Sequence, residues 1–288
     1  MYAGIDQIAG RELSTAAVCT TLDISRSAYY AWRSGAATPR VAGDEELAPL
    51  VRAVFWQHRR RYGARRIASE LADRGQRTSP RRVAKLLKTQ GLRAIQPKSF
   101  VPHTTDSRHR LGYSPNLLLE TPEPTRSDEL WVGDITYVPL RGGAFCYLAL
   151  LMDRFSRALM GWRLDETMTD ELTLGALRLA IRQRQPPRGL IHHTDRGGQY
   201  ASVRYRNVLR RAEIHQSMSR AANCYDNAFM ESCFGTVKTE LEMTEYHNYQ
   251  AARREITEYL HYYGLPRKHS ALGYLTPAQF ELLHRTNS

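Results

Sequence analysis

Long apolar runs are missing from this chain, and so is any pattern among its few cysteines. The longest apolar stretch, Phe145 to Met152, is eight residues, far short of the roughly 20 needed to span a bilayer as a helix. The N-terminus shows no basic segment followed by an apolar one, so no export signal is read there. Cys19, Cys146, Cys224 and Cys233 have neither paired spacing nor the neighbouring histidines that zinc modules use. A membrane protein, a disulfide scaffold and a zinc finger are all disfavoured, and a reduced, cytoplasmic protein is expected.

Acids are scarce where bases gather. The 288 residues carry a formal net charge of +12, yet residues 51–110 alone hold 16 Lys and Arg against three Asp and Glu, leaving the remainder close to neutral. A local patch of one sign points to a polyanion, here nucleic acid, rather than to a small acidic metabolite. The length suits about two domains, each able to bury its own core.

Three acids carry the chemistry. Asp134 interrupts the alternating apolar and β-branched run Trp131 to Tyr137, which reads as a strand. Asp195 ends a short apolar run and precedes Gly197-Gly198, which reads as a turn. Glu231 lies in a segment whose Phe229, Cys233, Val237 and Leu241 recur every four residues, so a helix buries that stripe and leaves Glu231, with Lys238 seven residues on, along another face. Each acid alone also suits a plain role: a turn acid, a helix N-cap, a solvated helix residue. A carboxylate inside an apolar strand, however, is costly to bury without a cation beside it, and hard divalent ions take carboxylate oxygens from separate elements. Asp153, Asp165, Glu166 and Asp226 are assigned structural roles. Of His192 and His193, neighbours on a strand and so facing opposite ways, one is expected in the core and the other beside the site.

The words around these acids sharpen the reading. Sixty residues separate Asp134 from Asp195 and 35 separate Asp195 from Glu231, a spacing that resembles the Asp-Asp-Glu signature of the retroviral-integrase superfamily. Trp131 to Tyr137, His193 to Tyr200, Ser217-Met218-Ser219-Arg220 and Asn223 to Ser232 resemble the insertion-sequence-three family of bacterial transposases, in particular the product of its second reading frame. Arg267 to Pro277 resembles the family's C-terminal signature, with Gly264 where Asn is usual and Ala222 where Gly is common. The resemblance runs over roughly residues 12 to 280. It implies an α/β, ribonuclease-H-like integrase core, a mixed five-stranded sheet with helices, preceded by an all-α helix-turn-helix module. It also implies DNA cleavage and transfer of a 3′-hydroxyl at element ends, with Asp134, Asp195 and Glu231 as catalytic and metal-binding residues; a ribonuclease-H-like nuclease that only hydrolyses and a non-catalytic DNA-binding regulator of the full transposase are the alternatives. Two Mg²⁺ ions are the expected cofactor, with Mn²⁺ as a substitute. The implied partners are terminal inverted repeats, target DNA, an upstream-frame product or frameshift fusion, and further copies of the chain on nucleoid DNA.

Along the chain, residues 1–42 read as a helical, helix-turn-helix-like segment with two short helices over 12–34 joined near Leu22-Asp23-Ile24 and capped by Ser25; contact with DNA and packing on the next module are both open to it. Residues 43–96 read as a helix-turn-helix. Its first helix runs over 46–59 with Pro49 in the first turn; Ala64 to Arg74 follows. The last, Pro80 to Gln90, is capped by Ser79 and buries Val83, Leu86 and Leu87 while presenting Arg81, Arg82, Lys85 and Lys88 to DNA. Residues 97–127, rich in proline, read as a linker, 128–245 as the core and 246–288 as its helical extension. Strands are expected at 130–140, 145–152, 158–164, 190–194 and 215–218, with helices at 170–185, 202–212 and 250–262. Arg196, Lys238, Arg267 and Lys268 are further expected contacts to DNA phosphates.

Overall fold

Strands apolar on both faces need cover on both faces. The computed structural model, which describes residues 2–8, 13–34, 39–97, 112–220, 228–243 and 245–285, meets that need with a five-stranded sheet between two helical layers. The strands β1 (Leu130–Pro139), β2 (Phe145–Asp153), β3 (Leu159–Asp165), β4 (Ile191–Thr194) and β5 (His215–Met218) lie in the order β3-β2-β1-β4-β5. The first three are antiparallel neighbours, whereas β4 runs parallel to β1 and β5 parallel to β4. On one face Val132, Val138, Leu148, Leu150 and Met152 pack with residues of α10 (Ala228–Glu240) and α11 (Tyr249–Gly264). On the other, Trp131, Ala149 and Leu151 pack with residues of α7 (Asp170–Arg184) and α9 (Val203–Arg211). The expected mixed sheet and order of elements are therefore present, with ends shifted by a residue or two.

The chain divides into two compact units, Met1–Ala94 and Ile95–Ser288. The first is all-α. Its helices α1 (Tyr2–Ile8), α2 (Thr15–Thr21) and α3 (Arg26–Arg33) enclose Ile5, Val18, Cys19 and Tyr29. After them come α4 (Pro39–Gln57), α5 (Ala64–Asp73) and α6 (Pro80–Thr89). The expected cap of α6 is made, Ser79 Oγ accepting from the Arg82 N–H at 3.2 Å. Helix α4 starts well before residue 46, so Pro49 sits inside it and not in its first turn. Nothing between Pro39 and Pro49 stops a helix except Gly43, which costs only about 1 kcal/mol against Ala. Helix α1 is short and carries no sustained period, so no local pattern announces it.

Part of the proline-rich stretch is docked on the sheet. The Met218 N–H donates to Pro115 O at 3.2 Å, the Leu117 N–H to Ser217 Oγ at 3.0 Å, and Ser114 Oγ to Gln216 Oε1 at 2.8 Å. Residues 114–117 thus run along β5, satisfying one backbone donor of the last strand and donating to two of its side chains. Prolines erased any period there, which hid the docking from the sequence. Residues 98–111, together with Ala222, Cys224 and the expected cap Asp226, lie outside the described residues. Asp153 is fully buried and accepts from the Asp128 and Ser156 N–H groups, both at 2.7 Å, as a structural acid does.

Both histidines of β4 are in the core, so neither lines an open site. His192 Nε2 meets the Tyr205 hydroxyl and His193 Nδ1 the Ser217 hydroxyl, each at 2.8 Å. They do point to opposite faces, but both faces are covered. Burial pushes the His192 imidazole down to about 3, so it stays neutral in the folded chain. Below about pH 6.5 the unfolded chain therefore takes up a proton that the folded chain refuses, and stability falls by about 1.4 kcal/mol per pH unit towards pH 3. His192→Gln removes this part of the dependence: between pH 7 and pH 5 its urea midpoint should drop less than that of the wild type, and equal drops would show that His192 is not the group concerned.

Candidate active site

The parallel ladder between β1 and β4 pairs Leu130 with Ile191, Trp131 with His192, Val132 with His193 and Gly133 with Thr194. Asp134 and Asp195 are the residues that follow this last pair, β4 itself ending at Thr194, and paired strands lie about 4.8 Å apart. The alternation of the pleat puts Asp134 on the Val132 and Val138 face, the one covered by α10. A third observation agrees. Tyr200 is fully buried and its phenol is pushed well above the usual range by that burial, with Asp134 and Asp195 both adding to the shift. Its hydroxyl has no hydrogen-bond partner among the described residues, so a buried polar atom lies within the field of both acids. Tyr200 belongs to the motif that carries Asp195, but only its aromatic character was legible in the sequence.

The turn after Asp195 is shaped by the acid itself. Gly197 caps the short helix α8 (Gly198–Ala201) with an ordinary φ of −60°, so left-handed geometry is not why glycine stands there. Its N–H donates to Asp195 Oδ1 at 2.9 Å, and a Cβ built on it would come within 3.0 Å of that same oxygen. Glycine leaves the carboxylate its place. Arg196 is held rather than free: its Nε donates to Ser219 O at 2.7 Å and its guanidinium lies 4.7 Å from the centre of the Tyr113 ring.

Glu231 sits exposed in the first turn of α10, just after undescribed residues 221–227. Among the described residues no three His, Cys, Asp or Glu side chains converge closely enough to hold a metal ion. The two aspartates are assembled, and the glutamate is on the correct helix without being drawn in. Lys238, two turns on, is half-buried; burial pulls its ammonium below the usual pKa, and the charge of Asp134 opposes that shift. The buried stripe of α10 is Met230, Cys233, Phe234, Val237 and Glu240, turned slightly from the expected one. Phe229 instead lies between Arg154 and Arg157, whose guanidinium carbons are 4.4 and 4.7 Å from its ring centre.

The chain has counterparts elsewhere. Models of the integrase core domain match residues 124–224 and 212–277, and a model of an HTH-like domain matches residues 42–100. The 31 kDa protein of insertion element IS600 from Shigella sonnei is 40% identical over 265 residues, covering 91% of this chain and 97% of that protein. The chain belongs to the IS3 family of transposases. Transposase InsF for insertion sequence IS3A of Escherichia coli is 37% identical over 94% of each chain. The transposase for insertion sequence element IS904 of Lactococcus lactis is 39% identical over 82% of this chain and 94% of its own. This protein is accordingly a DNA transposase with an integrase core and a helix-turn-helix-like module.

Of the basic residues expected to meet DNA, the transposase leaves some at its surface and withdraws others. Arg81 and Lys88 of α6 are exposed, while Val83, Leu86 and Leu87 are buried as expected. Arg82 Nε and Lys85 Nζ reach the two oxygens of Asp44, on α4, at 2.6 and 3.0 Å, although the Lys85 side chain remains 59% exposed. Hydrogen bonds from Arg82 and then Lys85 hold the Asp44 carboxyl below the usual range. Half of the expected reading face is thus shared with a carboxylate from the preceding helix.

Arg267 and Lys268 are not at the surface, as was expected of them, since each is only 3% exposed. Arg267 grips Glu240, the last residue of α10, through Nε at 2.9 Å and Nη2 at 2.7 Å, while the Tyr259 hydroxyl donates to the same carboxylate at 3.1 Å. The C-terminal signature therefore clamps the helix that carries Glu231. The surrounding Leu265, Leu272 and Tyr274 were the available hint that this segment is packed. The departure at Gly264 is harmless on this geometry, because a Cβ there would meet nothing within 4 Å.

Removing one partner of a buried ion pair strands the other. Arg267→Ala should lower the stability of the transposase by about 3–5 kcal/mol in urea unfolding, against about 0.5 kcal/mol or less for exposed Arg81→Ala; equal small losses would return Arg267 to the surface. Gly197→Ala should leave the urea midpoint nearly unchanged yet slow DNA cleavage roughly tenfold to a hundredfold, because a few tenths of an ångström at Asp195 suffice. Unimpaired cleavage would mean that the Asp195 carboxylate is not positioned by this contact.

Proposed function

We propose that Asp134, Asp195 and Glu231 hold two divalent ions and that the chain uses them first to cut the ends of a mobile element and then to join the freed 3′-hydroxyl to a second DNA. The observation that carries this reading is the register that sets Asp134 beside Asp195 on the face covered by the Glu231 helix. The donor set suits Mg²⁺, with Mn²⁺ as a substitute: all three side chains offer carboxylate oxygens, from two strands and a helix, and the nearby His192 and His193 are engaged in the core. When bound, the ions would make a water or a 3′-hydroxyl nucleophilic and stabilise the leaving oxygen.

The chain's own residues do the rest. Asp134 and Asp195 fix two ligand positions rigidly, because one is inside a strand and the other is held by the Gly197 N–H. Glu231, in the first turn of α10, closes on them when the ions and DNA are present. Lys238 offers its ammonium to a phosphate oxygen next to the acids, and Arg196 orders the loop behind Asp195. Arg81, Lys85 and Lys88 hold the DNA, Arg82 chiefly braces α6 on Asp44, and a 3′-hydroxyl held at the acids reacts as an effectively unimolecular partner. The active form is an oligomer on DNA, joined to upstream-frame helices and working in the cytoplasm at the nucleoid, where its substrate lies.

Two measurements test this. Asp134→Asn, Asp195→Asn and Glu231→Gln should each abolish cleavage while DNA affinity persists, since each amide keeps the shape and loses a charged ligand; cleavage retained by any one of them moves the site elsewhere. Pre-cut element ends with a 3′-hydroxyl, mixed with Mg²⁺ and a second duplex, should give covalently joined products, and 3′-deoxy ends none. Ends that are only shortened would make the protein a hydrolase. Lys238→Ala should depress joining more than metal binding.

A further inference from the structure

The first three helices repeat the design of the next three. Helix α2 ends at Thr21 and the chain turns through Asp23, whose φ of 50° is left-handed; the Ile24 N–H then returns to Cys19 O at 2.8 Å and the Asp23 N–H to Thr20 O at 3.2 Å. Helix α5 ends at Asp73 and the chain turns through Gly75, φ 81°; the Gln76 N–H returns to Leu71 O at 2.8 Å and the Gly75 N–H to Ala72 O at 3.0 Å. These are the same pair of bonds, the one that stops a helix and reverses it sharply. A serine stands at the start of the following helix in each case, Ser25 before α3 and Ser79 before α6. Ser79 makes its cap bond, whereas Ser25, contrary to expectation, makes none and its Oγ meets Ser27 Oγ at 2.8 Å instead. Four residues after each serine stands a fully buried anchor, Tyr29 in α3 and Val83 in α6. Each pair is backed by a preceding helix, α1 on α2 and α3, and α4 on α5 and α6.

What α3 exposes completes the likeness. Arg26, Tyr30 and Arg33 lie one and two turns apart along a single exposed stripe, with Ser27 beside Arg26, as Arg81, Lys85 and Lys88 do on α6. Neither α2 nor α3 contains an acid. In a helix-turn-helix the second helix enters the major groove and its first residues reach base edges. An arginine there is suited to guanine, a serine to any base, and the apolar face of a tyrosine to a thymine methyl.

We propose that α3 is a second DNA-reading helix, and that Arg26, Ser27 and Tyr30 contact base edges in a major groove separate from the one α6 reads. The HTH-like match, over residues 42–100, covers only the second repeat. The inference goes beyond strand transfer and does not depend on it, because binding alone reports it.

The test is selection by the full chain from duplexes with a randomised tract. Wild type should enrich two separated blocks of fixed bases. Arg26→Ala/Tyr30→Ala, both exposed and so without effect on the core, should keep one block and lose the other, with affinity for the selected duplex lower by on the order of tenfold for each base no longer read. Arg81→Ala/Lys88→Ala should lose the complementary block. The proposal falls if wild type enriches a single block, or if the α3 variant keeps both at unchanged affinity. It falls equally if the α3 variant changes only self-association in sedimentation, for then this face meets protein and not DNA.

Discussion

Everything at the candidate site depends on the parallel pairing of β1 with β4. Parallel neighbours cannot be joined by a tight turn, so the chain must leave the sheet, build a helix and return. Here β2 and β3 extend the sheet on one side before α7 carries the chain back to lay β4 on the other side of β1. That excursion is why 60 residues separate two acids that end as neighbours. Slipping β4 by one residue would turn Asp195 to the opposite face from Asp134. The buried His192 and His193, each bonded to a neighbour across its own face, lock the register against such a slip, so the histidines act on the site through the sheet and not by touching it.

Two carboxylates set side by side repel, and a fold that does so must offset the repulsion. In this chain a half-buried Lys238 stands within the field of Asp134, and the Gly197 N–H bonds Asp195. Glu231 stands exposed in the first turn of α10, on the layer that covers the Asp134 face. The Glu240–Arg267 pair fixes the far end of the same helix.

Elements governed by local pattern were legible in the sequence. The five strands show β-branched or apolar runs, α6 has its serine, its proline and its apolar triplet, and Asp134 betrays itself by interrupting a strand. What the sequence could not show were pairings across long separations. Arg82 looked like a DNA contact because Asp44 is remote in sequence, and Arg267 looked exposed because its partner Glu240 reads as an ordinary helix acid. Charge alone does not tell a surface cation from a buried one; only its partner does. Residues 114–117 were read as linker for the related reason that their partners on β5, Gln216, Ser217 and Met218, are remote in sequence. Pro49 misled by a different route, since a helix tolerates one proline when the residues before it have no reason to stop.

The distribution of charge bears on how the two units share the work. Nearly all of the excess positive charge lies in residues 51–110, and the rest of the chain is close to neutral. Affinity for a polyanion scales with the number of phosphates neutralised and falls steeply with salt. A near-neutral catalytic unit therefore gains little from non-specific attraction and acts mainly on DNA delivered by other contacts. That separation has a chemical advantage for a transposase. A core that clung to any duplex would bring every passing phosphodiester to its acids, whereas a core dependent on the helical unit for residence meets only the DNA which that unit has retained. The few cations close to the acids, Lys238 and the braced Arg196, are then placed to orient a phosphate already present and not to capture one from solution.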